Sequence, residues 1–325
     1  MGTDTKIQWC DRTASPWYGC AKVHTGCLNC YAERGAKRRP QTLGEWGENG
    51  VRVKSRGFCG KLRQWNREAE RAGQIISVFP SLCDPFEDRP ELEPWRQEMF
   101  VTIGACPWIR LILLTKRPEN VRRMWPRIGF PDSGVPGTLG RYISLANVCL
   151  LTSISDQQTA DVMIHEQERC RDLVPVLGVS AEPLVGPIKM NFWDPRNPKT
   201  EGEWMASHEG VGVIGKNRPV DWVIIGGESG PNARPCNVDW IGDLVRQCKS
   251  AEVPVFVKQV GSNPRVLWPM AGNDGLPAYI DVKQVGVLAA YETLPRFVDK
   301  KGGDPAEWPE HLRVREFPVS FDSKL

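Results

Sequence analysis

The sequence predicts an α/β fold, a partial (β/α) TIM-like barrel with insertions, on three observations. Short, near-continuous Val/Ile/Leu runs recur along the chain, each run is followed by polar or helix-favouring sequence, and no Gly-rich dinucleotide fingerprint follows the early runs. Parallel strands covered on both faces by crossover helices lose the in/out alternation of a half-exposed sheet and read as solid apolar runs. Repeated β-α units without that fingerprint favour a barrel, whole or partial, over a doubly wound sheet, which stands as the other reading.

The runs occupy residues 74–79, 110–115, 148–153, 174–180, 221–227 and 253–258. Residues 93–103, 155–170 and 238–251 are long and mixed enough in polarity to form covering helices, with Ser155-Asp156 and Asn237 as N-caps. Residues 40–73 and 191–219 mix Gly, Pro, Arg and Trp without rhythm and are expected as insertions or lid-like loops. Beyond Gly261 the prolines at 264, 269, 277, 295, 305, 309 and 318 leave no regular element assignable. The expected division is a barrel over residues 1–261 carrying an N-terminal cysteine loop, and an extension over 262–325 that packs on it.

A chain of 325 residues with 41% hydrophobic and 25% charged content is neither disordered nor fibrous, since its 31 Gly and 27 Pro lack a three-residue period. No apolar stretch approaches the length of a membrane span, and residues 1–6 are polar, so a cytoplasmic protein with no membrane partner is expected. The net charge of +3 demands no polyanionic partner by itself. Eleven cysteines without an export signal argue against a disulfide framework. Eight of them, Cys10, Cys59, Cys83, Cys106, Cys149, Cys170, Cys236 and Cys248, are dispersed and read as small buried hydrophobes.

In a β/α barrel the functional groups gather at the carboxyl ends of the strands. Each run here ends in polar residues: Ser81, Cys83 and Asp84; Thr115, Lys116 and Arg117; Ser153, Ser155 and Asp156; Ser180 and Glu182; Gly226, Gly227, Glu228 and Arg234; Lys258 and Gln259. The serines taken singly also read as helix caps. Charges at a crowded, partly dehydrated mouth are harder to explain without pairing or a ligand, which makes Glu182, Lys258 and Arg234 catalytic candidates.

The sharpest feature precedes the first run: Cys20, Cys27 and Cys30 in a C-x6-C-x2-C loop, with Gly19 and Gly26 permitting tight folding. Three thiolates are one short of a structural zinc or ferredoxin set and suit a [4Fe–4S] cluster that leaves one iron open. His24 completes a cramped Cys3His set for zinc, and three unligated thiols are the third reading.

A three-cysteine loop ahead of repeated β-α units resembles the radical S-adenosylmethionine (SAM) superfamily, whose commonest motif is C-x3-C-x2-C; here the first gap is three residues longer, and Asn29 stands where an aromatic usually precedes the last cysteine. The chain is more similar to the phage and prophage family of three-cysteine-motif, radical-SAM-like proteins. The likeness lies at residues 9–32, at Leu114-Thr115-Lys116-Arg117-Pro118-Glu119-Asn120, and at residues 178–187, 221–235 and 258–261. The resemblance implies a radical-SAM type partial barrel with a [4Fe–4S] cluster on Cys20, Cys27 and Cys30. SAM on the open iron would be cleaved by a flavodoxin- or ferredoxin-type reductant to methionine and a 5′-deoxyadenosyl radical. On the superfamily's layout Ser81 and Asp84 face the SAM amino group, Ser153, Ser180 and Glu182 the ribose or carboxylate, and Gly226, Gly227 and Glu228 the adenine.

Basic and aromatic residues interleave at 37–39, 52–71 and 117–127, a composition that can neutralise phosphates while aromatics stack on bases. A nucleic-acid substrate is therefore one expectation, and a solvated face balanced by Glu45, Glu48, Glu68 and Glu70 is the other. Two functions follow: a radical SAM enzyme modifying or repairing a nucleic acid or nucleobase, or a non-catalytic, zinc-stabilised nucleic-acid-binding phage protein.

Overall fold

Solid apolar runs demand cover on both faces, and the computed structural model supplies it over residues 5–128, 141–190, 220–271, 277–281 and 298–321, which it describes. Seven strands form one sheet whose spatial order follows the chain: β1 (Arg12–Thr13), β2 (Ile76–Phe79), β3 (Ile109–Thr115), β4 (Val148–Ile154), β5 (Val176–Ala181), β6 (Trp222–Gly226) and β7 (Val255–Gln259). Every neighbouring pair is parallel. The order never reverses, so the sheet is a half-barrel and the doubly wound alternative falls.

Six of the seven strands are the apolar runs. Three covering helices stand at the expected places: α2 (Glu93–Gly104), α4 (Gln157–Glu168) and α5 (Val238–Ser250). Asp156 caps α4 through a capping box with Thr159, and the Asn237 side chain accepts from the Asp239 N–H at the start of α5. Two helices depart from expectation. Residues 40–73 are not a lid-like insertion: they contain α1 (Phe58–Ala72), the first crossover, which buries Phe58, Leu62, Trp65 and Ala69 and ends at Gly73 with φ of 62°. The short α3 (Pro118–Met124) follows β3. Residues 191–219 lie outside the described residues.

Register sorts the side chains by face, because residues two apart on a strand share one side. Phe79, Ile112, Leu151, Trp222, Ile224 and Phe256 join Trp9 in one buried cluster, the inner face of the half-barrel. Val78, Leu111, Leu113 and Leu150 alternate outward, into a second cluster with Phe58, Met99 and Val121 from α1, α2 and α3. One step beyond the large inner residues come Ser153, Ser180, Gly226 and Lys258. The interior is thus filled with aromatic and aliphatic side chains below and left open by small ones at the carboxyl end.

Beyond Gly261, where the sequence offered no element, Pro264–Ala271 and Pro277–Asp281 pair antiparallel. Residues 298–321 run along the amino ends of β6 and β7. Trp222 Nε1 donates to the Glu316 carbonyl at 2.9 Å, Phe321 stacks edge-on against Trp222 at 5.2 Å, and Trp308 is fully buried. No helix among the described residues is long and apolar enough to cross a membrane. Of the eight dispersed cysteines, six are buried and Cys59 and Cys83 are half-buried.

Candidate functional site

The loop that carries Cys20, Cys27 and Cys30 lies across the open, small-residue end of the half-barrel. Its tip is a 3-10 turn, Thr25–Cys27, capped by His24, whose Nδ1 accepts from the Gly26 N–H at 2.9 Å. Gly26 touches the end of β4 so closely that a Cβ there would lie 2.3 Å from Ser155 Oγ. Only glycine allows that approach.

Bonds from four strand ends fasten the loop. Beyond β2, Glu87 accepts from the Ala21 N–H at 3.1 Å, and the Ser81 carbonyl accepts from Tyr31 Oη at 3.0 Å. Beyond β3, Arg117 Nη2 donates to the Ala21 carbonyl at 2.9 Å. Beyond β4, Asp156 accepts from Thr25 Oγ1 at 3.1 Å. Beyond β6, Asn29 Nδ2 donates to Glu228 at 2.9 Å, and Arg234 Nη1 donates to the Thr25 carbonyl at 2.8 Å. Arg34 adds bonds to the Ser229 and Pro231 carbonyls at 3.1 and 2.9 Å.

The expected site residues fall into two groups. Asp84, Glu228 and Arg234 are engaged in holding the scaffold. Asp84 is buried and accepts from Thr115 Oγ1 at 2.7 Å, the Lys116 N–H at 3.0 Å and Arg117 Nη1 at 2.8 Å. Glu228 takes Arg234 Nη2 at 2.7 Å and the Arg234 N–H at 2.8 Å. Burial pushes the Glu228 carboxyl up, but the bonds from Arg234 and Asn29 together outweigh it and hold it below the usual range. Glu182, Ser153, Ser180, Gly226 and Lys258 line the open end. Lys258 Nζ lies 2.7 Å from Glu182 Oε1, and Ser153 Oγ donates to the Glu182 carbonyl at 2.9 Å. Gly226 faces that ion pair, since a Cβ there would sit 2.7 Å from Glu182 Oε1. Gly227 presses on backbone instead, with a Cβ position 2.3 Å from the Val260 carbonyl oxygen.

Among the described residues no three His, Cys, Asp or Glu side chains are gathered at metal-ligand spacing. Cys20 Sγ lies 3.7 Å from Arg117 Nη1, and burial together with nearby Asp84 raises its thiol to about 12. The donors fit a cluster in kind and place, three thiols on one loop over the mouth, although the sulfurs are not closed into a ligating group. His24 departs from the zinc expectation: its Nδ1 is used as a cap acceptor, and its ring sits near the Lys116 ammonium, whose charge disfavours a second cation.

Sequence reading missed Thr25, Asn29, Arg34 and Glu87. Their one visible signal was polarity inside a loop with no helix or strand to cap. The expected base-stacking surface also changes. Trp65 and Trp125 are core residues at 4% and 2% exposure. Arg52 is spent on buried Glu87 at 2.6 Å and Arg117 on Asp84, so neither meets phosphate.

Fold and site together define a parallel half-barrel α/β protein with a thiol-bearing loop across its carboxyl end. Residues 4–289 match the family of proteins of unknown function designated DUF5131, and the chain belongs to that family. No curated protein matches it. Among solved structures it is similar to spore photoproduct lyase complexed with dinucleoside spore photoproduct, at 12% identity over 86% of this chain and 70% of that chain, with a TM-score of 0.38. A double mutant of that lyase with bound AdoMet and dinucleoside spore photoproduct is similar at 12% identity over the same shares, with a TM-score of 0.40.

Proposed function

We propose that this chain is a cytoplasmic radical SAM enzyme that acts on a nucleic acid or nucleobase and takes its electron from a flavodoxin- or ferredoxin-type donor. The observation that carries the reading is the placement of a three-thiol loop, bound to four strand ends, over the one part of the interior lined by Ser153, Ser180 and Gly226. Cys20, Cys27 and Cys30 would hold a [4Fe–4S] cluster, which with SAM supplies one-electron cleavage to methionine and a 5′-deoxyadenosyl radical.

The chain's own residues would then have distinct work. Arg234, Glu228 and Asn29 hold the loop in place over the mouth. Lys258 and Glu182 form a polar wall that orients the reacting end of a ligand, and Gly226 leaves the room beside them. Ser81, Ser153 and Ser180 supply short polar contacts. The large inner cluster beneath excludes water from the site floor.

Anaerobic reconstitution tests this directly. The protein should become brown with about four irons per chain and, given dithionite and SAM, should release 5′-deoxyadenosine detectable by mass spectrometry. Cys27→Ala should lose both. A colourless protein carrying one zinc and releasing no 5′-deoxyadenosine overturns the reading in favour of a zinc-stabilised binding protein.

A further inference from the structure

The cations around the mouth are neutralised with one exception. Arg52 meets Glu87, Arg117 meets Asp84, Arg234 meets Glu228 and Lys258 meets Glu182, each at 2.6 to 2.8 Å. Half-buried Lys116 meets no carboxylate among the described residues; its Nζ bonds Ser153 Oγ at 2.5 Å. That hydroxyl gives its proton to the Glu182 carbonyl and so accepts from the ammonium, which keeps further N–H groups to offer. The nearest acids are already engaged, Asp84 with Arg117 and Thr115, and Glu182 with Lys258.

Other unsatisfied donors surround it. Because His24 Nδ1 accepts from Gly26, the neutral ring carries its proton on Nε2, which is buried without a partner. Burial first, then the Lys116 charge, lowers that imidazole to about 4, which places ring and ammonium together and leaves the ring unable to add a charge of its own at neutral pH. Ser155 Oγ and Ser180 Oγ are also unpartnered, in residues 0% and 1% exposed, and Ser180 is the register neighbour of Ser153. Buried polar groups are almost always paired, so several unpaired donors around one free ammonium call for an acceptor with several oxygens and a negative charge.

We propose that Lys116, with Ser180, Ser155 and His24 Nε2, forms an anion-binding site inside the half-barrel that takes a carboxylate or a phosphate. This rests on the radical SAM reading only for the source of the anion: the methionyl carboxylate of SAM, or the phosphodiester of a nucleic-acid substrate.

Two ligand pairs separate the sources: SAM against its decarboxylated counterpart, and the dinucleotide TpT against its uncharged methylphosphonate. Calorimetric titration of the anaerobically reconstituted protein should show a preference for the charged member of one pair of roughly 10- to 100-fold, the range of a charge-assisted hydrogen bond. Lys116→Met should erase that preference and Lys116→Arg should retain it. Ser180→Ala removes an unpaired hydroxyl, so it should fold normally and lower the preference about threefold; this keeps the test decisive if Lys116→Met does not fold. Absence of any preference in the unsubstituted protein, or its survival in Lys116→Met and Ser180→Ala, overturns the site. SAM bound equally by all variants leaves the enzyme reading standing without the site, whereas a Lys116-dependent preference for TpT with no SAM binding leaves the site standing without that reading.

Discussion

Arg234 Nη2 lies 2.7 Å from Glu228 Oε1 while its Nη1 donates to the Thr25 carbonyl at 2.8 Å, so one guanidinium ties the end of β6 to the tip of the cysteine loop. Arg234→Met therefore does two things: it strands a carboxylate that is 6% exposed, and it unfastens the loop. Breaking a buried pair from one side costs about 3–5 kcal/mol, and the partial exposure of Arg234 brings the expected loss in a denaturant titration to roughly 2–3 kcal/mol. Limited proteolysis should cut first between Cys20 and Cys30. An unchanged midpoint together with an uncut loop would refute the clamp.

The loop should also loosen in mild acid, and His24 is the reason. Its imidazole is held at about 4 in the fold by burial and by Lys116, against about 6.5 in an unfolded chain. Between those two values the unfolded chain binds a proton that the folded chain refuses, so stability falls as pH drops through the window and is unaffected above it. The melting temperature should decline between pH 6.5 and 4.5, and His24→Asn, which keeps a cap acceptor but cannot titrate, should flatten that decline. An identical slope in both proteins counts against a buried neutral ring.

Much of this architecture was legible in residue order, for particular physical reasons. Runs such as 109–115 and 148–154 are buried on both faces, so composition alone marks them as strands. β1 is two residues long and leaves no such mark. α1 hid in plain view: Phe58, Leu62, Trp65 and Ala69 are spaced four, three and four apart, a helical stripe masked by the arginines and glycines around it. The open end of the site was readable as polar strand ends, yet which of those groups pair with one another depends on register. Asp84 and Glu228 look identical to Glu182 in sequence, but only Glu182 borders the small inner residues.

Adjacent glycines separate structure from chemistry. An Ala at 227 would drive its methyl to 2.3 Å from the Val260 carbonyl oxygen, a contact with backbone that cannot swing aside. Gly227→Ala should therefore destabilise the fold by about 2–3 kcal/mol, the overpacking range. An Ala at 226 meets the flexible Glu182 carboxylate at 2.7 Å instead. Gly226→Ala should keep its melting temperature within a few degrees while weakening ligand binding by displacing Glu182 from Lys258. Equal thermal losses in the two variants contradict this division.

The half-barrel leaves β7 as an edge strand, and the chain covers it itself. Val257 donates to the Val314 carbonyl and Glu316 to the Val255 carbonyl, both at 2.9 Å, with an antiparallel bridge between Phe256 and Arg315. Unpaired edges template association with other chains, so this strip acts as a seal as well as a brace. Its anchor is Trp308, fully buried, with Nε1 bonded to the Gly302 carbonyl at 3.0 Å. Trp308→Ala should lose about 3–5 kcal/mol, as for other large-to-small core changes, and the loss should come with concentration-dependent aggregation on warming as β7 is uncovered. A conservative Trp308→Phe keeps the packing but not the hydrogen bond and should lose only about 1 kcal/mol. Light scattering that stays flat for Trp308→Ala at every concentration, despite a lowered melting temperature, would show that the strip stabilises the fold without guarding its edge.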